Sequence, residues 1–285
     1  MQEDFIIQGN ITTLRNAIPI KFVHRKNIDK QENHLLHLNN HLEIYVFVEG
    51  NHKYIVENNI YELKRGDIIL ISPREVHKAL PMEECLYERF YLLLDEHCLD
   101  GIETNPLPQI LNVLSKTGNL ISPPTEEREQ ALKLLYELSQ EIKNGPRATV
   151  GTLGTVLKLL DIYLRQLSKN QPTPNNISAV PELLEKILLC VTENAADIQS
   201  TAQVARELGI SQQYLSTYFS KHLGTSLKIY IQAKKVALAK NLLDQGADVT
   251  RACFESGFND CSYFIKVFKK HTSVTPMQYR KKLCK

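Results

Sequence analysis

Asp248-Val-Thr-Arg-Ala-Cys-Phe-Glu-Ser-Gly-Phe-Asn-Asp-Cys-Ser-Tyr-Phe-Ile-Lys-Val-Phe-Lys-Lys270, followed by Thr275-Pro276, is the stretch that decides the fold. Val249 to Glu255 has the length of a short helix. Ser256-Gly257-Phe258-Asn259 is turn chemistry, with Gly257 free to take a left-handed backbone. Asp260 is placed to cap the next helix, Cys261 to Lys270, because its carboxylate can accept from the first free N–H groups. On that helix Phe264 and Phe268 lie at i, i+4 and face a core, leaving Ser262 and Lys266 outside. Two short helices joined through a Gly turn, the second opening on a cap, read as a helix-turn-helix.

The same pattern occurs once before. Gln199 to Leu208 reads as a short helix, Gly209 as the turn and Ser211 as the cap of a helix running from Gln212 to Lys221. Leu215 and Phe219 point inward, and Gln213, Ser216, Thr217 and Ser220 are left outside, able to reach base edges or phosphates. Ser211 and Asp260, Tyr214-Leu215 and Tyr263-Phe264, Phe219 and Phe268, Lys221 and Lys270 correspond at an offset of 49 residues. A long helix, Leu227 to Leu243, links the two units. Such an arrangement can present two helices to successive major grooves, ~34 Å apart along the duplex. A further helix opens at Val180-Pro181-Glu182 with Pro at its first position, lining Leu183, Leu184, Ile187, Leu188 and Val191 on one face.

The charge distribution agrees. The net charge of +2 divides into 15 Lys/Arg against 9 Asp/Glu from Ala179 onward, and 19 against 23 before it. A basic C-terminal part fits a polyanionic partner.

The N-terminal half has another period. Ile18-Pro-Ile-Lys-Phe-Val23 offers one or two strands. Glu43 to Val48, His52 to Glu57, Ile60 to Leu63, Ile68 to Ile71 and Tyr87 to Leu94 are rich in β-branched and aromatic residues, and turn residues separate most of them. This spacing predicts a small antiparallel barrel or sandwich. Helical patterns follow: a short helix over Pro108 to Leu114, one opening at Pro123-Pro-Thr125-Glu126-Glu127 and running to about Lys143, and one from about Arg147 to Leu167. Leu153, Leu157, Leu160, Leu164 and Leu167 alternate spacings of four and three, which suits a dimerisation seam or packing on the chain's own barrel. Residues 168–179 are polar and Pro-punctuated, a linker. The expected architecture is therefore a two-domain α+β chain: an N-terminal antiparallel barrel with a helical dimerisation segment over 1–167, and an all-α domain of two helix-turn-helix units over 180–285.

Residues 180 to 283 resemble the AraC/XylS-type bacterial transcription-factor domain. The resemblance is carried by Ser211-x-x-Tyr214-Leu215-Ser216-x-x-Phe219, Gly224-x-Ser226, Tyr230-Ile231, Ala239-x-x-Leu242-Leu243, Gly257-Phe258-x-Asp260-x-Ser262-Tyr263-Phe264, Phe268-Lys269-Lys270 and Thr275-Pro276-x-x-Tyr279-Arg280. It implies that the second helix of each unit enters the major groove. Gln213, Ser216 and Thr217 in the first unit, and Ser262 and Lys266 in the second, would face bases. Ser211, Gln212, Lys221, Asn259, Tyr263 and Lys270 complete the expected DNA-binding set. Thr201, Lys235, Cys253 and Ser273 stand where Leu, Arg, Ala and Gly are usual, which bears on packing. Neither outer face carries Arg, the commonest reader of guanine, so base reading leans on Gln213, Lys266 and DNA shape.

The strand region resembles the cupin-like sensor that often precedes this domain. His37-x-Asn39-x-x-x-Glu43 with Gly50, and Gly66 with His77, follow the spacing of the two cupin motifs. Asn39 replaces a metal-ligating His, and an amide is a poor transition-metal ligand. The resemblance implies a small-molecule pocket, with His37, Glu43, Tyr45 and His77 suited to the hydroxyls of a carbohydrate, and an arm near Ile18 to Lys26 over the barrel mouth. The expectation is a ligand-responsive regulator of transcription in the bacterial cytoplasm. It would be a homodimer with double-stranded DNA, a small effector and RNA polymerase as partners, no cofactor and no membrane contact. The rival is a metal-dependent cupin enzyme with a helical appendage. The six cysteines form no C-x-x-C pair, which suits a reducing compartment. No apolar run approaches the ~18 residues of a membrane span, and no signal-peptide pattern opens the sequence.

Overall fold

The computed structural model describes residues 5–11, 20–29, 36, 38–39, 41–73, 75–95, 98–99, 119–144, 150–169 and 181–283. Among these residues nine antiparallel strands come first: β1 (Phe5–Ile11), β2 (Ile20–Asp29), β3 (Leu42–Glu49), β4 (His52–Val56), β5 (Asn59–Glu62), β6 (Ile68–Ile71), β7 (His77–Pro81), β8 (Cys85–Leu94) and β9 (Leu120–Ile121). They form a six-stranded sheet, ordered β1-β2-β8-β3-β6-β9, and a three-stranded sheet, β5-β4-β7. The inner faces share a core of Tyr45, Phe47, Ile69, Ile71 and Tyr87 from the large sheet with Tyr54, Val56, Tyr61 and Ala79 from the small one.

Ile20 to Lys26 is not an arm over the barrel mouth. It lies inside the large sheet, hydrogen-bonded to β1 on one side and β8 on the other. Strands β1, β7 and β9 have no counterpart in the sequence-based expectation. The expected helix at 108–114 lies outside the described residues, as does the expected linker at 168–179 except for Ser168 and Lys169, which belong to a helix instead.

The outer face of the large sheet is covered by α1 (Thr125–Asn144) and α2 (Val150–Lys169). Leu132, Leu135, Leu138, Val156, Leu159, Leu160 and Tyr163 meet Phe22, Ile44, Leu70, Phe90 and Leu92 there. One polar cluster is buried in this layer. Glu88 of β8 accepts hydrogen bonds from His24 (2.9 Å), Lys26 (2.6 Å) and the Tyr136 hydroxyl of α1 (2.8 Å). Burial pushes the Glu88 carboxyl up, but these donors outweigh it and bring it down to about 2. The folded value lies below the unfolded one of 4.5. Its stabilisation is therefore full above pH 4.5 and is lost as pH falls toward 2. The shift corresponds to about 3 kcal/mol. Glu88→Gln should cost on that order at neutral pH and flatten the acid decline of thermal stability; an unchanged profile would remove Glu88 from the acid response.

The C-terminal domain contains α3 (Glu182–Asn194), α4 (Thr201–Glu207), α5 (Gln212–Leu223), α6 (Leu227–Asp244), α7 (Val249–Glu255), α8 (Cys261–Thr272) and α9 (Pro276–Leu283). Its boundaries follow its caps: Ser200, Ser211, Ser226, Asp248 and Asp260 each accept from the backbone N–H three residues on. The first short helix is therefore tighter than Gln199 to Leu208, and Pro181 precedes α3 as its cap residue. Helix α6 forms the spine. It buries Leu227, Ile231, Val236, Ala239 and Leu243, as its pattern predicts, and also Lys234, Lys235 and Lys240.

The outer face of the small sheet packs on this domain. Ile55, Ile60 and Leu80 join a core with Leu184, Leu188, Leu227 and Ile231. Lys78 of β7, fully buried, donates to the last carbonyls of α5, Leu223 O (3.0 Å) and Gly224 O (2.9 Å). A cation at a helix C-terminus meets both orphan carbonyls and the negative end of the helix dipole. Burial pushes the Lys78 ammonium down to about 8. The β4–β5 turn adds an ion pair between Glu57 and Lys234, and Asn58 Oδ1 accepts from Thr192 Oγ1 at 2.8 Å. The small sheet is thus a shared wall: Tyr54 and Ala79 face the barrel interior, while their neighbours Ile55 and Lys78 face the helices.

Candidate nucleic-acid interface and effector pocket

Each second helix is held from below by its aromatic and aliphatic face. Leu215, Phe219 and Leu223 of α5, and Phe264, Val267 and Phe268 of α8, are buried. The opposite faces are open: Ser211, Gln212, Gln213, Ser216, Thr217 and Lys221 in the first unit, and Asn259, Ser262, Tyr263, Lys266 and Lys270 in the second, are all exposed. The last turn of α8 carries Lys269 and Lys270, which complement its C-terminal dipole.

Several of these groups are already oriented by hydrogen bonds. Gln212 Nε2 donates to Thr201 Oγ1 (3.0 Å), and Asn259 Nδ2 to Gln199 Oε1 (2.7 Å), tying the second unit's turn to the first unit. The Tyr263 hydroxyl bonds Gln232 of α6. A groove of about 440 Å³ runs between the units, lined by Gln199, Lys228, Gln232, Asn259 and Tyr263. Lys228 and Gln232 went unrecognised in the sequence because they sit on the linking helix, whose pattern is apolar and whose outer face carries no repeat. Tyr214, 51% exposed, stacks on Tyr218 and Tyr218 on His222, so the residue that marks the repeat is itself a surface group.

The barrel holds a half-open cavity of about 280 Å³ lined by Lys21, Arg25, Asn39, Glu43, Tyr45, Tyr54, Ala79, Tyr87, Arg89, Tyr91 and Leu93. Of the expected ligand-site residues, Glu43 and Tyr45 line it. His77 is buried behind it: its Nε2 is 3.4 Å from Glu43 Oε2 and its other ring nitrogen bonds Glu75 O at 2.8 Å. His37 lies outside the described residues. Asn39 donates to Glu43 and approaches His77 Nε2 at 3.5 Å. An amide N–H thus faces the carboxylate and imidazole where a third nitrogen ligand would be needed. The Tyr45 and Tyr87 hydroxyls share a hydrogen bond of 2.7 Å, and burial pushes both phenols up, Tyr87 to about 12. They stay protonated as neutral donors at physiological pH. Lys21, Arg25, Tyr87, Arg89 and Tyr91 lie outside the cupin motif positions. The signal that could have found them was strand register: Lys21, Val23 and Arg25 alternate inward across from Leu93, Tyr91 and Arg89.

Along α2, Leu153 and Leu160 are buried against the chain's own barrel, while Leu157 and Leu164 are half-buried at the margin of that core. The surroundings of the Leu167 side chain lie outside the described residues.

The chain thus joins an antiparallel barrel with a cavity to a pair of helix-turn-helix units. Residues 22–149 match the family model of the AraC-like ligand binding domain, and residues 204–282 match that of a helix-turn-helix domain. The chain belongs to the AraC family of transcriptional regulators. It is 24% identical over 255 residues to an uncharacterized HTH-type transcriptional regulator of Staphylococcus aureus (strain MSSA476), covering 85% of this chain and 31% of that protein. The chain thus spans about a third of the length of that relative. It is also 24% identical over 259 residues to the HTH-type transcriptional activator RhaR of Escherichia coli O6:K15:H31 (strain 536 / UPEC), covering 86% of each. Among solved structures, ToxT from Vibrio cholerae aligns over 92% of this chain and 98% of its own, at 17% identity and a TM-score of 0.41. No helix among the described residues is long and apolar enough to cross a membrane.

Proposed function

We propose that this protein binds double-stranded DNA sequence-selectively through α5 and α8, and that a small molecule in the barrel sets how that domain is presented. The observation that carries the reading is the pair of N-capped helices with buried aromatic undersides and open polar faces, fixed to one spine helix. The exposed polar groups are Gln213, Ser216, Thr217 and Lys221 on α5 and Ser262, Lys266 and Lys270 on α8, donors and acceptors suited to base edges and phosphates. The chain acts in the cytoplasm, where its DNA is.

The test is a gel shift of the full chain on DNA from its own promoter region, across a salt series. A sequence-selective complex whose affinity falls steeply with salt is expected; absence of any selective shift would sink the reading. Lys266→Ala should weaken binding by about 1–3 kcal/mol if the ammonium contacts a base, and relax selectivity at one position. Loss spread evenly over all sequences would instead place Lys266 on a phosphate.

The homodimer belongs to the same proposal. Leu157 and Leu164 lie half-buried at the margin of the chain's own core, where a second copy would add its contacts to theirs. Leu157→Glu combined with Leu164→Glu is the variant to compare with the parent by sedimentation. A carbohydrate effector was the expectation from the motif positions, and the charge inside the barrel bears on that choice.

A further inference from the structure

We infer that the effector of the barrel is a small anionic metabolite, carrying a carboxylate or phosphate, and not a neutral sugar; this rests on the proposed effector site. The lining of the cavity holds the cations Arg25 and Arg89, with Lys21 exposed at its edge, against one carboxylate, Glu43. Among the described residues no acidic side chain forms an ion pair with any of the three cations.

The two arginines are placed in a way that calls for an anion. Arg25 of β2 is the direct cross-strand partner of Arg89 of β8, on the inner face. Like charges directly opposite on neighbouring strands are destabilising. Arg89 is 5% exposed, and its Nη1 reaches only neutral acceptors: Asn27 Oδ1 at 2.6 Å and Tyr87 O at 3.4 Å. Its guanidinium lies 3.8 Å over the Tyr87 ring. Arg25 Nε is buried without a hydrogen-bond partner. A buried, unmatched guanidinium N–H beside a second guanidinium is costly by itself and is satisfied by one bridging oxyanion, whose geometry suits forked donors.

The opposite end of the cavity differs. Lys21 and Glu43 are both register partners of Leu93 and lie four residues along the strand from the arginine row, roughly 13 Å at strand rise. Tyr45 and Tyr91 fill the row between, as direct partners. The cavity therefore accepts an elongated molecule: an oxyanion at Arg25 and Arg89, a body among tyrosines, and hydroxyls toward Glu43 and Lys21. At about 280 Å³ it sits at the small end of ligand pockets.

The test is thermal-shift and calorimetric titration of the full chain with matched probes: glucose against gluconate, glucuronate and glucose 6-phosphate; 4-hydroxybenzyl alcohol against 4-hydroxybenzoate; and inorganic phosphate. Sodium chloride at equal ionic strength is the control. The expected result is saturable stabilisation by at least one anion, absent with its neutral partner, with the carboxylate and phosphate arms distinguishing the head group. Arg25→Met should weaken that binding about tenfold or more, and Arg25→Lys should retain part of it. Arg25→Met should also melt higher than the parent without ligand, because the arginine repulsion is gone. Stabilisation by neutral probes with anions inert would overturn the anion and leave the effector site standing. No response to either class, with unchanged melting of Arg25→Met, would overturn both.

Discussion

Gly257→Ala is expected to destabilise the C-terminal domain severely and to weaken DNA binding with it. Gly257 has φ +85°, and a Cβ there would lie 2.0 Å from Ala196 O and 2.7 Å from Ala196 C and Cα. These are backbone atoms of the segment following α3, so no side chain can swing away. The left-handed backbone costs about 1–2 kcal/mol for Ala, and forcing the packed segments apart about 1–3 more. Against a domain stability of roughly 5–15 kcal/mol this is large, and it should lower the melting temperature by about 10 °C or more. Gly209 provides the control. It occupies the equivalent turn of the first unit at φ +68°, and a methyl added there would meet nothing within 4 Å, so Gly209→Ala should cost only the backbone part, about 1–2 kcal/mol. Equal melting of the two variants would show that the contact at Ala196 does not fix the units to each other.

Lys78→Glu is expected to detach the two domains while leaving each core whole. The substitution sets a buried carboxylate against Leu223 O and Gly224 O, at the negative end of α5. Breaking a buried charged contact of this kind costs about 3–5 kcal/mol. Proteolysis between residues 168 and 179 should accelerate, and the radius of gyration from solution scattering should rise. Lys78→Met should have a milder effect, because it removes the donor without adding the repulsion. Unchanged proteolysis and scattering in Lys78→Glu would mean that Lys78 does not hold the interface. A pH dependence follows from the depressed Lys78 value of about 8 against 10.5. The undocked chain binds the proton more tightly, so the burial penalty is full below pH 8 and is relieved as pH rises toward 10.5.

Much of this was readable in the chain, for reasons that differ by region. The C-terminal domain was legible because helices announce themselves locally. Ser211 and Asp260 act as caps, Leu215, Phe219, Phe264 and Phe268 are buried, and the 3.6-residue period separates inner from outer residues within one turn. In the barrel, Ile68–Ile71 fell where expected, whereas β7 was missed. That strand is five residues long, contains Lys78 and ends on Pro81, so nothing local marks it; the partner that buries Lys78 is Leu223 O, 145 residues away in sequence. The pocket was half legible for the same reason. Glu43 and Tyr45 sit in a recognisable spacing, but Arg25 and Arg89 come together only through the β2–β8 register. Buried Lys234, Lys235 and Lys240 were hidden too, since a lysine on an amphipathic helix is ordinarily a solvent residue.

The shared wall has a consequence for how such a protein can change over time. Tyr54 and Ala79 line the cavity, and Ile55, Ile60, Lys78 and Leu80 lie on the side that packs on the helices. Alternation along a strand assigns every residue to one side. A lineage can therefore exchange one chemical signal for another by substitutions at Tyr54 or Ala79 while inheriting the grip on α5 intact. If α5 and α8 read DNA as proposed, their outer faces can equally be redirected to new sites without disturbing the cavity. Input and output are heritable as separate traits although a single layer of backbone lies between them.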